Sequence, residues 1–280
     1  MKILREGLFT GERALYSSRE LKIYDSIFAD GESPLKESRD IELSGCIFKW
    51  KYPLWYCKNI EVSDSVLLES ARSGIWYTDN IKMKGTVIEA PKTFRRAENI
   101  TLADCNMPNA KESFWYCRGI SLSHVTAAGD YFGLSSENVT ADHFILNGNY
   151  AFDGGKNIVI RNSRLISKDA FWNCENVTVY DSVIIGEYLG WNSKNVTFVN
   201  CTVESNQGMC YMENVKMENS KLLNTDLSFE LSTVDADIIS EIDSVKNPIS
   251  GRIHARAIRE LILDGAVIDP DKTEITVDEK

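Results

Sequence analysis

The segments CKNIEVSDSVL (residues 57–67), TDNIKMKGTVI (78–88) and CENVTVYDSVI (174–184) are three copies of one short pattern. Each copy leads through a charged residue and Asn to an aliphatic residue, which we call the anchor. The anchors are Leu21, Ile41, Ile60, Ile81, Ile100, Ile120, Val139, Ile158, Val177, Val196 and Val215, with Val234 a less regular twelfth. They recur every 19 to 21 residues, a period typical of stacked repeat architectures.

Apolar and polar residues alternate around each anchor, which is the period of a β-strand. The residue two after the anchor is mostly apolar, a turn former stands four after it, and a further apolar column lies six before it. No helical periodicity interrupts the pattern. We therefore predict an all-β fold, a single-stranded right-handed parallel β-helix (a solenoid) of about 12 coils with three short strands per coil.

The repeat also predicts the domain organisation, a single β-helix domain over residues 1–280. Residues 1–17 would form an N-terminal cap and first coil, residues 18–234 the regular coils, and residues 235–280 a C-terminal cap that covers the open end. Glu12 and Glu32 occupy equivalent places in two similar segments. We expect them to stack, with Arg13 or Lys36 neutralising them in a salt-bridged cap or a bound-ion site.

Composition limits the possible partners and location. The formal charge of −10 and pI of about 5.0 argue against a nucleic-acid or anionic-membrane partner, since both need a basic surface. The chain has no apolar stretch of membrane-spanning length, and its start is too polar for a signal peptide. These features predict a cytoplasmic protein.

The cysteines and histidines are explained by the repeat. The seven cysteines fall mainly in columns of small residues and form no CxxC pair, which predicts buried free thiols. His124 and His143 share one turn column in neighbouring coils. We interpret them as corner residues, with a metal or general-base role as the alternative, and predict no metal site and no cofactor.

Asparagine precedes the anchor in eight of eleven coils: Asn59, Asn80, Asn99, Asn138, Asn157, Asn176, Asn195 and Asn214. Because equivalent residues stack in a β-helix, we predict an asparagine ladder of inward amides at one corner.

The candidate ligand site is a line of aromatic residues. Five of the six tryptophans stand five residues before an anchor, and tyrosine follows several of them. Adjacent strand residues face opposite ways, so one of the two columns should be exposed and could stack against sugar rings. Two arginines interrupt the line and could hold a carboxylate. The candidate ligand-binding residues are Trp55, Trp76, Arg95, Arg96, Trp115, Trp172 and Trp191, with corner packing or a protein interface as alternatives.

The motifs of β-helix enzymes are mostly missing. Glycosidases need two facing carboxylates, and polygalacturonase-like enzymes combine NTD, DD, GHG and RxK motifs. Here NTD occurs alone, at residues 224–226, and the aspartates that follow the anchors are too dispersed for a calcium cage. A catalytic site would have to use Asp153, Asp226 or Glu230 with Arg95 or Arg96.

Several segments resemble a known family: GERALY (11–16), GESPLKES (31–38), FWYC (114–117), FWNC (171–174) and DLSFELSTVDADI (226–238). They are similar to an uncharacterised bacterial family, a domain of unknown function with a pectate-lyase-like right-handed parallel β-helix. The resemblance covers nearly the whole chain and implies the fold, but it brings no catalytic residues, so a sugar connection rests on fold analogy.

Three functions therefore stay open. The favoured one is ligand binding without catalysis, with an oligosaccharide as the partner. The second is a polysaccharide lyase or glycoside hydrolase. The third is a structural or self-associating scaffold, either monomeric or homo-oligomeric through an end or a flat face.

Overall fold

The computed structural model describes residues 2–278. The chain divides into two compact units, Met1–Ile145 and Leu146–Lys280, each built of stacked coils in which equivalent strands pair in parallel. Within residues 2–278, helix is limited to the short 3-10 turns Glu69–Ala71 and Pro270–Lys272. No helix in this part of the chain is long and apolar enough to cross a membrane.

The first unit has two main sheets. The sheet that contains the anchors is formed by Lys2–Arg5, Arg19–Tyr24, Arg39–Ser44, Lys58–Ser63, Asp79–Lys84, Glu98–Ala103, Arg118–Ser123 and Glu137–Asp142. The second sheet is formed by Leu8–Phe9, Ile27–Phe28, Ile47–Phe48, Val66–Leu67, Val87–Ile88, Asn106–Met107 and Thr126–Ala128. Anchor pairs with anchor, as in Ile60 with Ile81 and Ile81 with Ile100, so the predicted register is confirmed.

The second unit repeats this arrangement. Its anchor sheet is formed by Lys156–Arg161, Glu175–Tyr180, Lys194–Val199, Glu213–Leu223, Thr233–Lys246, Ser250–Ile262 and Thr273–Val277. Its other strands are Arg164–Ile166, Val183–Glu187 and Thr202–Asn206, and the strand Ile145–Asn147 contains the unit boundary. Val234 pairs with Gly251, and Gly251 with Thr273. Parallel stacking thus continues through much of the segment for which we predict a cap.

The predicted class, an all-β parallel β-helix, is confirmed, with more coils than the anchors indicate. Eight strands of the anchor sheet lie in the described part of the first unit and seven in that of the second. The extra coils carry Lys2, Gly251 and Thr273 at the anchor position. Backbone pairing continues there without an apolar anchor, which is why the sequence pattern does not reveal these coils.

The third strand of each coil forms only locally. Ile75–Trp76 pairs with Phe94–Arg95, and Arg95 forms a bridge with Trp115. Most other coils have turns at this place. Left-handed φ does not explain the difference, because Tyr52 and Tyr56 in a coil with turns (60° and 56°) match Ser73 and Tyr77 beside the strand Ile75–Trp76 (54° and 58°).

In the core, residues of the same type at equivalent positions of successive coils stack on one another. Phe28 and Phe48 stack with ring centroids 4.6 Å apart, and Phe94 and Phe114 at 4.4 Å, close to the spacing of paired strands. All seven cysteines are buried and free, as predicted. The Cys57 thiol donates to the Leu35 carbonyl at 3.1 Å, and burial raises the pKa of Cys57 to about 12.

An asparagine ladder is present in parts of both units, with its amides facing outward, but Asn99 does not join it, because Asn99 Nδ2 donates to Asp79 Oδ1 at 2.9 Å. In the first unit Asn80 Nδ2 donates to Asn59 Oδ1 at 2.8 Å, and Asn59 Nδ2 donates to Asp40 at 2.7 Å. In the second unit the same bonds join Asn157, Asn176, Asn195 and Asn214 at 2.9 to 3.0 Å. The prediction of inward amides was wrong, because a residue next to an inward anchor in a strand must face outward. Left-handed φ at these positions, such as 55° at Asn59, suits asparagine.

The N-terminal glutamates are neutralised by one exposed pair and one half-buried pair. Arg13 lies 3.6 Å from Glu12, as expected, whereas Glu32 is paired with Lys51 at 3.3 Å and not with Lys36. Lys36 instead lies 4.0 Å from Glu37. Surface pairs of this kind contribute little to stability.

Candidate functional site

The tryptophan positions of the first unit form a half-buried stack, which we call the Trp column: Trp55, Trp76, Arg95 and Trp115. Trp55 and Trp76 are parallel within 8°, with ring centroids 5.2 Å apart. The Arg95 guanidinium lies 4.6 Å from the Trp76 ring centroid and 4.5 Å from that of Trp115. Arg95 therefore fills one coil of the stack as a planar cation between two indoles.

The indole N–H groups of this column are bonded within the protein. Trp55 donates to the Ser73 carbonyl at 2.5 Å and Trp76 to that of Lys92 at 2.9 Å. Trp115 donates to the Tyr131 carbonyl at 2.8 Å. Each acceptor lies 16 to 18 residues further along the chain, so each indole joins its coil to the next. Stacked faces and bonded N–H groups leave mainly ring edges for a ligand.

The charge of Arg95 is balanced internally. The Glu112 carboxylate, with a side chain only 17% exposed, lies 3.7 Å from Arg95 Nη2 and 3.0 Å from Lys92 Nζ. Within residues 2–278, Arg95 Nε is buried and without a hydrogen-bond partner. A guanidinium held between two rings and paired with a shielded carboxylate is a packing element, and it is poorly placed to meet a ligand.

The neighbouring positions form the exposed column, which we call the Tyr column: Tyr56, Tyr77, Arg96 and Tyr116. The three tyrosines are 47%, 38% and 50% exposed. This settles which of the two aromatic columns faces solvent. One signal could have revealed it: the next position, three before the anchor, is small and buried, as at Cys57 and Cys117. The tyrosine beside an inward residue must face outward.

Within the described part of the chain, Arg96 is the exposed, unpaired cation of the Tyr column. Tyr56 and Tyr77 stack at 4.8 Å and 5°, whereas the Arg96 guanidinium lies 5.8 Å from the Tyr116 ring centroid. Within residues 2–278, no carboxylate reaches salt-bridge distance of Arg96, although Arg118 beside it pairs with Glu137 at 3.0 Å. A surface depression of about 220 Å³ lies here, lined by Arg96, Glu98, Tyr116, Cys117, Arg118, Ser135 and Glu137.

The second unit holds the other two tryptophans of the candidate site. Trp172 and Trp191 stack at 5.8 Å and 7°. Their N–H groups donate to the carbonyls of Tyr188 and Gln207, both at 2.7 Å. Tyr211 packs edge-on against Trp191 at 5.0 Å and is 40% exposed. Tryptophan is thus half-buried and tyrosine exposed in this unit as well.

The three catalytic candidates also lie in the second unit, and each has a partner. Asp153 accepts a hydrogen bond from Asn173 at 2.8 Å. Asp226 accepts from the Leu227 backbone N–H at 2.9 Å and from the Ser244 hydroxyl. Glu230 is paired with Lys246 at 2.9 Å. Within residues 2–278, no cluster of three or more His, Cys, Asp or Glu residues is suited to a metal ion.

The stacked parallel coils define a β-helix repeat protein. The chain belongs to the family described as "Protein of unknown function (DUF3737)", which matches residues 2–276. This confirms the family resemblance inferred from the segments above. No curated protein matches the chain in sequence.

Several solved structures resemble the fold distantly. A mannuronic acid specific polysaccharide family 6 lyase from human gut microbiota is 8% identical, with 99% of this chain and 82% of that chain covered and a TM-score of 0.42. PfbA, a surface adhesin of Streptococcus pneumoniae, is 11% identical, with 82% and 72% covered and a TM-score of 0.40. The A-module of the Azotobacter vinelandii mannuronan C-5 epimerase AlgE4 is 9% identical, with 100% and 91% covered and a TM-score of 0.34. At these values the likenesses carry no argument about activity.

Proposed function

We propose that the protein binds an acidic oligosaccharide on the Tyr column of its first unit, where Arg96 holds a carboxylate of the sugar. The observation that carries the proposal is an exposed guanidinium, free of ion pairs within residues 2–278, in a line of exposed aromatic rings. The depression beside it supplies further polar groups.

The chemistry of Arg96 suits a uronate. A guanidinium presents a planar fork of N–H groups that can bond both oxygens of one carboxylate. Arg118, which lines the same depression, is already paired with Glu137, so Arg96 is the cation that a ligand would meet. The exposed tyrosine hydroxyls can donate to and accept from sugar hydroxyls.

The spacing of the Tyr column also suits a sugar ring. Tyr77 and Tyr116 are two coils apart, about 9.6 Å at the usual strand spacing. Tyr56 covers one face of Tyr77, and Arg96 packs near Tyr116. A sugar ring could therefore stack its apolar face on the other side of Tyr77 while its carboxylate meets Arg96.

We also propose a cytoplasmic location, supported by seven free, buried thiols, which suit a reducing compartment.

Isothermal titration calorimetry with oligogalacturonate and oligomannuronate, compared with neutral cello-oligosaccharides of equal length, tests the proposal. We expect uronates to bind at least about ten-fold more tightly than neutral sugars, and Arg96→Gln to remove that preference. Arg164→Gln is the matched control, since Arg164 is another exposed arginine and lies in the second unit. Equal binding by wild type and Arg96→Gln, or no binding of any uronate, would refute the proposal.

A further inference from the structure

Two histidines of the first unit stack on one another at a corner of the β-helix. His124 and His143 each stand four residues after an anchor in successive coils. Their ring centroids are 4.6 Å apart and their planes differ by 11°. Both are exposed, and both have left-handed φ, 53° and 50°. The backbone therefore fixes two imidazoles side by side at the surface.

The Nδ1 atom of each ring already has a hydrogen-bond partner, which leaves the two Nε2 atoms available. His143 Nδ1 lies 3.0 Å from Asp142 Oδ2, and His124 Nδ1 lies 3.0 Å from Ser123 Oγ. A carboxylate at Nδ1 favours the tautomer with the proton on Nδ1 and the lone pair on Nε2. Within residues 2–278, neither Nε2 atom has a hydrogen-bond partner.

We infer that His124 and His143 bind one divalent transition-metal ion of the Zn²⁺ type through their two Nε2 atoms. Neutral imidazole is a preferred ligand of such ions. The Asp142–His143 pair has the carboxylate–histidine arrangement that orients metal ligands and raises their basicity. This site goes beyond the proposed saccharide binding and uses none of its residues.

Binding one ion requires both rings to rotate. Zn–N bonds of about 2.0–2.1 Å place two tetrahedral nitrogen ligands about 3.3 Å apart, with their lone pairs converging on the ion. In the stacked arrangement, with ring centroids 4.6 Å apart and planes within 11°, the in-plane lone pairs run nearly parallel, so each exposed ring must turn about χ1 and χ2 out of the stack. Because no third His, Cys, Asp or Glu completes a cluster within residues 2–278, water would fill the other positions. We therefore expect moderate affinity.

The chain offers well-matched variants for a test. At the same column position the second unit carries Asn162, Asn200 and Asn219 with φ of 48°, 54° and 45°. His→Asn substitutions should therefore preserve the backbone of the corner. His254 serves as the control histidine, because it lies in the second unit next to Thr276 and Asp278.

The test is calorimetric titration of the full chain with ZnCl₂. We expect one ion per chain for wild type and for His254→Asn, and at least ten-fold weaker binding for His124→Asn and His143→Asn. Asp142→Asn should weaken binding ten- to a hundred-fold, the usual effect of removing an outer-shell partner. Zn²⁺ should also raise the thermal midpoint of wild type and of His254→Asn, because binding to the native state stabilises it. Unchanged affinity in both His124→Asn and His143→Asn, or loss only in His254→Asn, would overturn the inference.

Discussion

Arg95→Ala tests whether the half-buried arginine of the Trp column is a packing element. The substitution removes a guanidinium that contacts two indoles, at 4.6 and 4.5 Å. Each partly desolvated cation–π contact contributes about 1 kcal/mol, so the pair contributes about 2 kcal/mol. Glu112, only 17% exposed, would also lose one of its two cations, which costs about 1 kcal/mol more. We expect the free energy of unfolding to fall by about 3 kcal/mol.

Urea denaturation followed by far-UV circular dichroism measures this loss. The control is Arg96→Ala, the exposed neighbour, for which we expect a change of about 0.5 kcal/mol or less. Arg95→Trp combined with Glu112→Gln should come within about 1 kcal/mol of wild type, because it replaces an ion pair with a ring that continues the stack. Equal, small effects of Arg95→Ala and Arg96→Ala would refute the structural role of Arg95.

Three further predictions concern the core, the thiols and the ladder. Phe48→Ala should lower the free energy of unfolding by about 3–5 kcal/mol in the same urea assay, since Phe48 is fully buried; a loss below about 1 kcal/mol would contradict the stacked core. Burial raises the pKa of Cys57 and Cys210 to about 12, so a thiol reagent at pH 8 should label native protein far more slowly than urea-denatured protein. Because the thiol pKa is higher in the folded protein than in the unfolded chain, the thiols contribute their full stabilisation below the ordinary thiol pKa of 9.0. This contribution to the free energy of unfolding is lost as the pH rises through the pKa of the folded protein. Urea titrations at pH 8 and pH 10.5 would detect the loss. Asn195→Ala removes two ladder bonds at 2.9 Å and leaves Ala with φ near 54°, so we expect the free energy of unfolding to fall by about 1–2 kcal/mol. Asn195→Gly should lower it less, because glycine adopts this φ without strain. A larger loss for Asn195→Gly than for Asn195→Ala would contradict the backbone explanation.

The sequence predicts the fold wherever side chains carry the pattern. Ile60 and Ile81 pair as their spacing indicates, because inward positions of a β-helix must be filled by apolar residues. The apolar pattern does not mark a coil whose strands pair through the backbone without an apolar anchor. Gly251 stands at an anchor position with φ of 120°, and a Cβ there would lie 1.9 Å from the Val234 carbonyl oxygen. Close backbone approach requires glycine at this place, so no apolar anchor marks the coil.

The candidate site was predictable as a line of residues, but the role of each residue was not. Arg95 and Arg96 are adjacent in sequence, yet Arg95 is enclosed by indoles and Glu112, and Arg96 faces solvent. Their difference depends on left-handed φ at Arg96, 48°, and on the coil register that brings Glu112 to Arg95. Neither can be read from a local motif. The stacking of His124 on His143 was implied by their common column, whereas the carboxylate that orients His143 needed side-chain geometry.

The outward ladder has an electrical consequence, because all its bonds run in one direction. Asn80 donates to Asn59, and Asn59 donates to Asp40, so the amide dipoles of the first unit add head to tail. Hydrogen bonds arranged in such a chain polarise one another. The positive end of the series points at the Asp40 carboxylate, in the way that the start of an α-helix attracts an anion. The side-chain amides of Asn80 and Asn59 are thus aligned dipoles, and the positive end of this series meets the fixed negative charge of Asp40.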